Sequence, residues 1–445
     1  MKFREVLRFV LGVHDFARTG TLLPTSRWGS LALLRECRRR KAPRRILEVG
    51  SGTGAVTSVL VSCLEPGDRL VLCEINPDYV DYLRHRFEVD PDFARVRDQV
   101  EIFSGSVLDL PGTGTYDCIL SSIPLNTLPP GLVRQILEHY RQLLAPGGTL
   151  SYIELIWLRW LRLFFTPGLS GRPWREAHRI LEDFIGKYQV YRETVWANLP
   201  PGWVRHFRFT PPQTRDVEML RPIEGRKTLV MGPIRVASDT LKFVVGLGGL
   251  AWTLRRAGTL VWSLPLLLTA GIATFLRDPH RKVNPDPDLA LSACDGRIMA
   301  IERVKDPHLG EEEWLRISAF LSLFDVHINR IPVSGRIVDR FEVDGGAAPA
   351  FQKKAENNYA CYLVLDTPQG RVVSVQRVGI IARRIVNWMG LGELAAQGER
   401  YGLIRMGSRT DVYLPPDVYE PLVHPGQKVV AGITPLARYT GSSAR

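Results

Sequence analysis

Residues 46–57, I-L-E-V-G-S-G-T-G-A-V-T, set an apolar strand-like run against three glycines at alternate positions, Gly50, Gly52 and Gly54. Glycines between a strand and a helix let a ligand approach the backbone N–H groups at the helix N-terminus. A tight structural turn is the plainer alternative. The spacing here is E-x-G-x-G-x-G, with Glu48 inside it, and not the G-x-G-x-x-G of dinucleotide-binding proteins. Outward from it, R-R-I-L-E-V-G, D-R-L-V-L-C-E, V-E-I-F-S-G, Y-D-C-I-L-S-S and G-G-T-L-S-Y-I alternate with helical stretches up to about residue 150. That alternation predicts an α/β, Rossmann-like domain, a parallel sheet covered by helices. Glu74 ends the second strand, where a carboxylate suits ribose hydroxyls. Residues 193–210, E-T-V-W-A-N-L-P-P-G-W-V-R-H-F-R-F-T, predict a closing hairpin that turns at Pro200, Pro201 and Gly202, so the first domain is placed at 1–210.

The chain has 445 residues, 45% hydrophobic and 23% charged, which at ~150 residues per domain allows two or three domains. Its formal charge of +12 predicts an anionic partner, and by itself leaves nucleic acid, anionic lipid and acidic substrates open. Six cysteines are scattered singly, with no C-x-x-C pair and no histidine cluster, which argues against a metal site and for reduced thiols in an intracellular protein. The start, M-K-F-R-E-V-L-R-F-V, lacks the apolar run and cleavage site of a secretory signal, so the catalytic parts are expected in the cytosol.

On its glycine motif and Glu74, the stretch 15–210 resembles class I S-adenosylmethionine-dependent methyltransferases. The resemblance implies S-adenosylmethionine as cofactor, with Glu48, Gly50, Gly52, Gly54 and Glu74 at its binding positions. Gly105-Ser106-Val107 stands where many members place an acidic residue against the adenine, so Ser106 takes that place. Enzymes that methylate base amino groups carry an Asn- or Asp-Pro-Pro-aromatic motif after the fourth strand, and this chain has Ser121-Ser122-Ile123-Pro124-Leu125 there. Asn76-Pro77-Asp78-Tyr79 is similar to that motif but follows the wrong strand. With T-G-T-L-L-P-T-S-R-W before the first strand and N-L-P-P-G-W at the end, S-S-I-P-L resembles the bacterial phospholipid N-methyltransferases.

Residues 211–285 are expected to form a linker and an apolar membrane-associating segment. F-V-V-G-L-G-G-L-A-W-T-L (243–254) is followed by two arginines and then by an uncharged run at 257–276, close to the ~20 residues that cross a bilayer. Pro265, Gly258 and Gly271 favour a re-entrant or interfacial hairpin over a clean crossing, with a buried core helix as the plain alternative. Arg255 and Arg256 on one side and Arg277, Arg281 and Lys282 on the other suit anionic headgroups. I-W-L-R-W-L-R-L-F-F (156–165) fits an interfacial helix as well as a core one.

From 286 to 445 strand signals dominate, with one helix expected around R-R-I-V-N-W-M, and predict a separate, mostly β domain. R-M-G-S-R-T-D-V-Y-L-P (405–415) sets Gly407-Ser408 before a strand-like alternation. A serine hydroxyl aimed at the preceding carbonyl can undergo an N-to-O acyl shift, and elimination and hydrolysis then leave a pyruvoyl group. On the dipeptide alone, a plain turn serine is the better reading. Upstream, in order, stand F-L-R-D-P-H-R (275–281), S-A-C-D-G-R-I (292–298), F-L-S-L-F-D-V-H-I-N-R-I-P-V-S-G (320–335), A-E-N-N-Y (355–359) and I-A-R-R-I-V-N-W (381–388).

With that company, residues 222–440 resemble the short bacterial phosphatidylserine decarboxylases. The resemblance implies scission between Gly407 and Ser408, with a pyruvoyl group derived from Ser408. It implies Asp295 as the acidic residue of self-processing and His327 beside the active site, with Asp325, Asn357 and Asn358 as further candidates. An imidazole, with an ordinary pKa of ~6.5, makes His327 the expected proton donor near neutrality. Where the family has S-P-A-D-G and S-P-F-D-V-H, this chain has S-A-C-D-G and S-L-F-D-V-H. The implied partners are phosphatidylserine and an anionic phospholipid membrane at the cytoplasmic face of the cell membrane. No nucleic acid is implied, and the cleaved large and small chains form a heterodimer open to further oligomerisation. The rival reading is a methyltransferase acting on RNA or protein, with a non-catalytic decarboxylase-like domain as anchor.

Overall fold

The computed structural model describes residues 24–156, 172–198, 200–212, 214–218, 220–223, 228–231, 234–238, 240–256, 258–380, 384–404 and 408–441. The chain divides into two compact units, Met1–Met219 and Leu220–Arg445. The apolar segment expected to be a linker therefore belongs to the second unit.

In the first unit, helices α1 (Arg27–Leu33) and α2 (Arg35–Arg39) precede strand β1 (Arg45–Val49). Then follow α3 (Ala55–Leu60), β2 (Arg69–Glu74), α4 (Pro77–Val89), β3 (Val100–Ser104), β4 (Tyr116–Ser121) and α5 (Pro130–Leu143). The unit closes with β5 (Leu144–Leu155), α6 (Arg172–Tyr188), β6 (Gln189–Val195) and β7 (Gly202–Phe207). The seven strands form one sheet in the order β3-β2-β1-β4-β5-β7-β6, the first five parallel. Strand β7 runs antiparallel to both β5 and β6, as the closing hairpin requires. Local chemistry starts the helices. The Asn76 side chain accepts the Asp78 N–H at the head of α4, and Pro77 takes the first position, where a missing N–H costs nothing. On α5, Val133, Ile136, Leu137 and Tyr140 are buried at one helical face.

The second unit opens with the antiparallel pair β8 (Thr228–Met231) and β9 (Ile234–Ala237). Helices α7 (Thr240–Leu254) and α8 (Thr259–Phe275) follow and pack side by side. The Ala237 N–H to Leu276 carbonyl bond and the Asp278 N–H to Arg235 carbonyl bond tie the end of α8 back to β9. Among the described residues, no helix is long and apolar enough to cross a membrane. The interfacial stretch expected at 156–165 lies, apart from Ile156, outside the described residues.

Eight strands build the main sheet of this unit, and three-stranded sheets flank it. Its order is β18 (Leu394–Ala395), β14 (Gly335–Val343), β15 (Ala360–Thr367), β16 (Gly370–Arg377), β20 (Ser408–Leu414), β12 (Glu313–Leu321), β11 (Gly296–Lys305) and β22 (Lys428–Val429). A three-stranded sheet of β13 (Ile328–Arg330), β19 (Arg400–Ile404) and β17 (Ile385–Asn387) packs through Ile328 and Leu403 against Phe243, Ile272 and Phe275 of the helix pair. Strand β10 (Leu289–Leu291), with β21 (Tyr419–Pro421) and β23 (Pro435–Tyr439), forms the other. The helix expected around R-R-I-V-N-W-M is instead strand β17 in its described part. Ile385, Val386 and Asn387 pair with Ile404, Leu403 and Gly402, and β-branched residues beside an available edge favour a strand.

Candidate functional site

In the first unit the glycine loop leaves β1 with Gly50, Gly52 and Gly54 at φ of 76°, 54° and 79°. These left-handed values suit residues without a side chain. A Cβ on Gly54 would stand 3.0 Å from Leu83, whereas one on Gly52 would meet nothing within 4 Å, so the loop is open at Gly52. Glu74, at the end of β2, accepts the Gly52 N–H (2.8 Å) and the Asn76 N–H (2.9 Å), one on each carboxylate oxygen. Each oxygen keeps a second lone pair for a ligand hydroxyl.

Glu48 is fully buried on β1, and both its oxygens accept from the Thr57 hydroxyl of α3 at 3.0 and 2.9 Å. Burial, with the charge of Glu74 adding to it, pushes its carboxyl up to about 8. The Ser106 hydroxyl accepts the Leu108 N–H (3.2 Å) and caps a short turn. Sequence reasoning missed Arg86. From α4 its guanidinium donates to the carbonyl of Thr53 (3.2 Å) and stacks on the Phe93 ring at 4.0 Å, fastening the glycine loop from behind. Past β4, the Ser121 hydroxyl is within 2.9 Å of the Tyr140 hydroxyl. Leu125 lines a small apolar recess with Leu137, Leu181 and Phe184, whose wall carries Tyr152 and Glu154. Glu154 is ion-paired with Arg205 at 2.9 Å.

In the second unit Ser408 is the first residue of β20, a strand held on both sides by β12 and β16. It is fully buried opposite Leu321, and its hydroxyl has no partner among the described residues. Gly407 lies outside them. The Ile404 N–H donates to the His327 carbonyl (3.3 Å). The pairings Leu321–Ser408 and His327–Ile404 thus bracket the stretches 322–326 and 405–407, with His327 and Ser408 at opposite ends of the bracket.

Asp325 explains the S-L-F-D motif. Its carboxylate accepts both the N–H (2.9 Å) and the hydroxyl (2.7 Å) of Ser322, closing a tight turn. The turn holds the Asp325 carbonyl 2.9 Å from Nδ1 of His327. With Nδ1–H donating there, Nε2 carries the free lone pair, and Nε2 is buried with no partner among the described residues. Burial pulls the imidazole below its ordinary value, against the opposing pull of Asp325. The resting group is therefore neutral and basic. The donor role read from the sequence begins only after His327 has taken up a proton.

Asp295 is bidentate with Arg281, at 2.8 and 2.7 Å, and also accepts the Ala431 N–H at 2.8 Å. The sequence grouped Arg281 with the residues suited to anionic headgroups, but in the structure its guanidinium is turned inward on Asp295, with only 9% of the side chain exposed. The adjoining Gly296 allows β11 to close on β12, since a Cβ there would fall 2.1 Å from the Phe320 carbonyl oxygen. Asn358 spends its side chain on the backbone of Ala348 and Val378, and Asn357 is exposed. Neither is tied to Ser408. Beyond Ser408, Asn329 donates to the Thr410 hydroxyl (3.1 Å). Asp411 accepts from Arg409 (2.6 Å) and Arg377 (2.8 Å). Burial would raise the Asp411 carboxyl, but the two guanidinium groups hold it below its ordinary value.

All six cysteines are free thiols. Among the described residues no cluster could hold a metal ion.

Residues 268–437 match the family model for phosphatidylserine decarboxylase, and residues 46–148 that for a methyltransferase domain. A phosphatidylserine decarboxylase proenzyme of Gluconobacter oxydans is 40% identical over 223 residues, which is 48% of this chain and 98% of that protein. Another from Geotalea uraniireducens is 44% identical over 173 residues, 38% of this chain and 80% of that protein. Among solved structures, an O-methyltransferase of Streptomyces achromogenes covers 47% of this chain and 91% of its own, with 20% identity and a TM-score of 0.33. One from Bacillus cereus covers 47% and 92%, with 17% identity and the same score.

Proposed function

Given that the chain belongs to the phosphatidylserine decarboxylase family, we propose that its second unit cuts itself between Gly407 and Ser408 and decarboxylates phosphatidylserine to phosphatidylethanolamine. The first unit carries a methyltransferase domain, and the acceptor we assign to it is the amine of the phosphatidylethanolamine so formed.

The observation that carries the first assignment is the pair of buried, unpartnered groups at the two ends of one bracket, the Ser408 hydroxyl and His327 Nε2. A neutral imidazole can take the hydroxyl proton as the oxygen attacks the Gly407 carbonyl. The peptide bond becomes an ester, and elimination and hydrolysis leave a blocked residue 408. In the processed enzyme the pyruvoyl group at residue 408 supplies an electron sink for loss of carbon dioxide. His327 is the chain's own group for moving a proton there. Arg281 fixes the Asp295 carboxylate in orientation, and β20 keeps residue 408 paired to Leu321 of β12 after scission, while Arg409 next to it is paired to Arg377 of β16.

The glycine loop fits S-adenosylmethionine. It is open at Gly52, and Glu74 has lone pairs to spare for ribose hydroxyls. Gly50, Gly52, Gly54 and Glu74 would hold the cofactor, whose sulfonium supplies an electrophilic methyl group. Glu48 and Ser106 would act from behind, through Thr57 and the Leu108 turn. The absence of an Asn-Pro-Pro-aromatic motif and the apolar recess behind Leu125 support a lipid amine over a nucleobase.

The membrane contact we assign is the α7–α8 pair together with the turn at 322–325. Leu264 and Leu267 are each 68% exposed and Phe324 86%. Arg255, Arg256 and Lys282 are exposed and suit an anionic leaflet such as the cytoplasmic one.

The test is to incubate the full-length protein with headgroup-labelled phosphatidylserine and S-adenosylmethionine, and to record intact masses beside lipid products. A large chain ending at Gly407, a blocked chain of residues 408–445 and methylated ethanolamine lipid are the expected results. A single uncleaved 50.1 kDa chain in active preparations would remove the pyruvoyl mechanism. Ethanolamine lipid without any methylated product would remove the lipid acceptor.

A further inference from the structure

Phe275 is the last residue of α8, a helix that packs beside α7 and leaves Leu264, Leu266, Leu267 and Leu268 exposed. Its ring centroid lies 4.3 Å from that of His327, with the planes 41° apart. The two residues come from segments far apart in sequence. Their contact is made where the end of α8 packs against β13 and β19, through Leu276, Val326, Ile328 and Leu403. Nδ1 of His327 is held by the Asp325 carbonyl on one edge. One hydrogen bond leaves an imidazole free to swing about it, and a ring packed on its face removes that freedom.

We propose that Phe275 is a positioning residue for His327. Its ring fixes the imidazole plane so that Nε2 stays aimed along one direction, and it keeps water off that nitrogen. This rests on the reading of His327 as the base of self-processing. It adds that the helix pair does more than attach the protein to a surface, because its final residue forms one wall of the catalytic histidine's pocket.

The charged groups around His327 are Asp325 from its own turn, Arg277 from the segment after α8, and Asp295 from the loop before β11. Burial is the largest influence, and it lowers the imidazole's affinity for a proton. Removing the Phe275 ring admits water and leaves the three charges in place. The pH midpoint of any step that needs neutral His327 should then move up towards the ordinary 6.5.

The experiment follows self-cleavage during cell-free synthesis of the full chain, from pH 5.5 to 8, by the appearance of the 408–445 fragment. Four proteins are compared: wild type, Phe275→Leu, Phe275→Ala and Ile272→Ala. Ile272 sits one turn earlier in the same packed cluster, so its truncation loosens the helix contact without opening the imidazole face. Phe275→Ala should slow cleavage on the order of ten- to a hundredfold and raise the midpoint by roughly half a unit or more. Phe275→Leu, which keeps apolar cover but loses the flat ring, should slow cleavage with a smaller shift. Ile272→Ala should leave the midpoint where it is. A Phe275→Ala midpoint equal to that of wild type, with a rate no lower than that of Ile272→Ala, overturns the proposal. His327→Gln separates the two levels. If that variant cleaves at the wild-type rate, the base assignment itself fails, whereas a dead His327→Gln beside an unaffected Phe275→Ala sinks only the positioning role.

Discussion

Asp411 offers a sharp test of how residue 408 would be held after the proposed scission. It is fully buried, and its two oxygens accept from Arg409 at 2.6 Å and Arg377 at 2.8 Å, both arginines being 4% exposed. Arg409 also bonds the Ser318 hydroxyl on β12, and Arg377 lies on β16, so the cluster clamps β20 to both neighbours. Asp411→Ala leaves Arg409 buried without its counter-ion and Arg377 with only the more distant Asp306 at 3.7 Å, and breaking a buried pair typically costs about 3–5 kcal/mol. For a unit of this size that corresponds to roughly 6–20 °C in Tm. Asp411→Asn keeps acceptor geometry on one side but still strands the charges, so it should fall between wild type and alanine. Because the folded carboxyl lies below its unfolded value of 3.8, its contribution is fully present above that value and is lost as pH falls through the folded one. The gap between wild type and Asp411→Asn should therefore be constant from pH 5 to 7 and narrow below about 3.8. Calorimetry of the processed protein reads both quantities, with the transition of the first unit as internal reference. A drop of less than about 3 °C for Asp411→Ala at neutral pH, or a gap that does not narrow in acid, would refute the reasoning.

Two further outcomes follow from buried charge and bare apolar surface. Glu48, pushed up to about 8, binds a proton in the folded state that the unfolded chain releases near 4.5, so its burial weighs increasingly against folding as pH rises through that interval. Glu48→Gln should stabilise the cofactor-free protein at pH 9, on the order of a few kcal/mol, and make no such difference at pH 4; calorimetry that finds no pH-dependent gap rejects the inward placement of this carboxyl. Leu264→Asp with Leu267→Asp places charge on exposed positions, so folding should be unchanged while affinity for anionic vesicles drops at least about tenfold; unaltered binding in a flotation assay removes α8 from the membrane contact.

What the sequence made legible was whatever neighbouring residues decide together. The parallel strands of the first unit are short apolar runs between turn signals, and all of them stand where the periodicity puts them. The glycine loop was equally legible, because left-handed backbone at Gly50, Gly52 and Gly54 leaves few alternatives. Arg86, and the pairing of Arg281 with Asp295, escaped notice for the opposite reason. Arg86 acts on carbonyls more than thirty residues upstream, and Arg281 spans from Asp295 to the Ala431 carbonyl, contacts that only the tertiary fold creates. The motif around His327 was readable as a motif, but its protonation was not. That depends on burial, which lowers the imidazole's affinity for a proton, and on the Asp325 carbonyl that holds Nδ1. The error at Ile385–Asn387 came from weighing helical spacing over two β-branched residues beside an open strand edge.

On the proposed membrane reading, the helix pair also constrains where the chemistry occurs. Leu264, Leu266, Leu267 and Leu268 are all exposed. At 3.6 residues per turn they spread over the sides of α8 away from Pro265 and Ile272, and no charged residue lies between Thr259 and Phe275, so the exposed sides carry no charged stripe to keep in water. An interfacial amphipathic helix needs such a face. At ~1.5 Å per residue α7 and α8 reach roughly 23 and 26 Å, short of the ~30 Å of hydrocarbon. Their turn carries Arg255, stacked on Trp252 at 3.9 Å, and Arg256, while Lys242 and Arg277 stand at the other end. Charges at both ends belong at headgroup depth. On that reading a pair with apolar exposed sides and charges at both ends would lie along one leaflet, sunk below its headgroups. Phe275, and through it His327, would then sit near the depth of a serine headgroup, and the substrate would reach the buried site without leaving the bilayer.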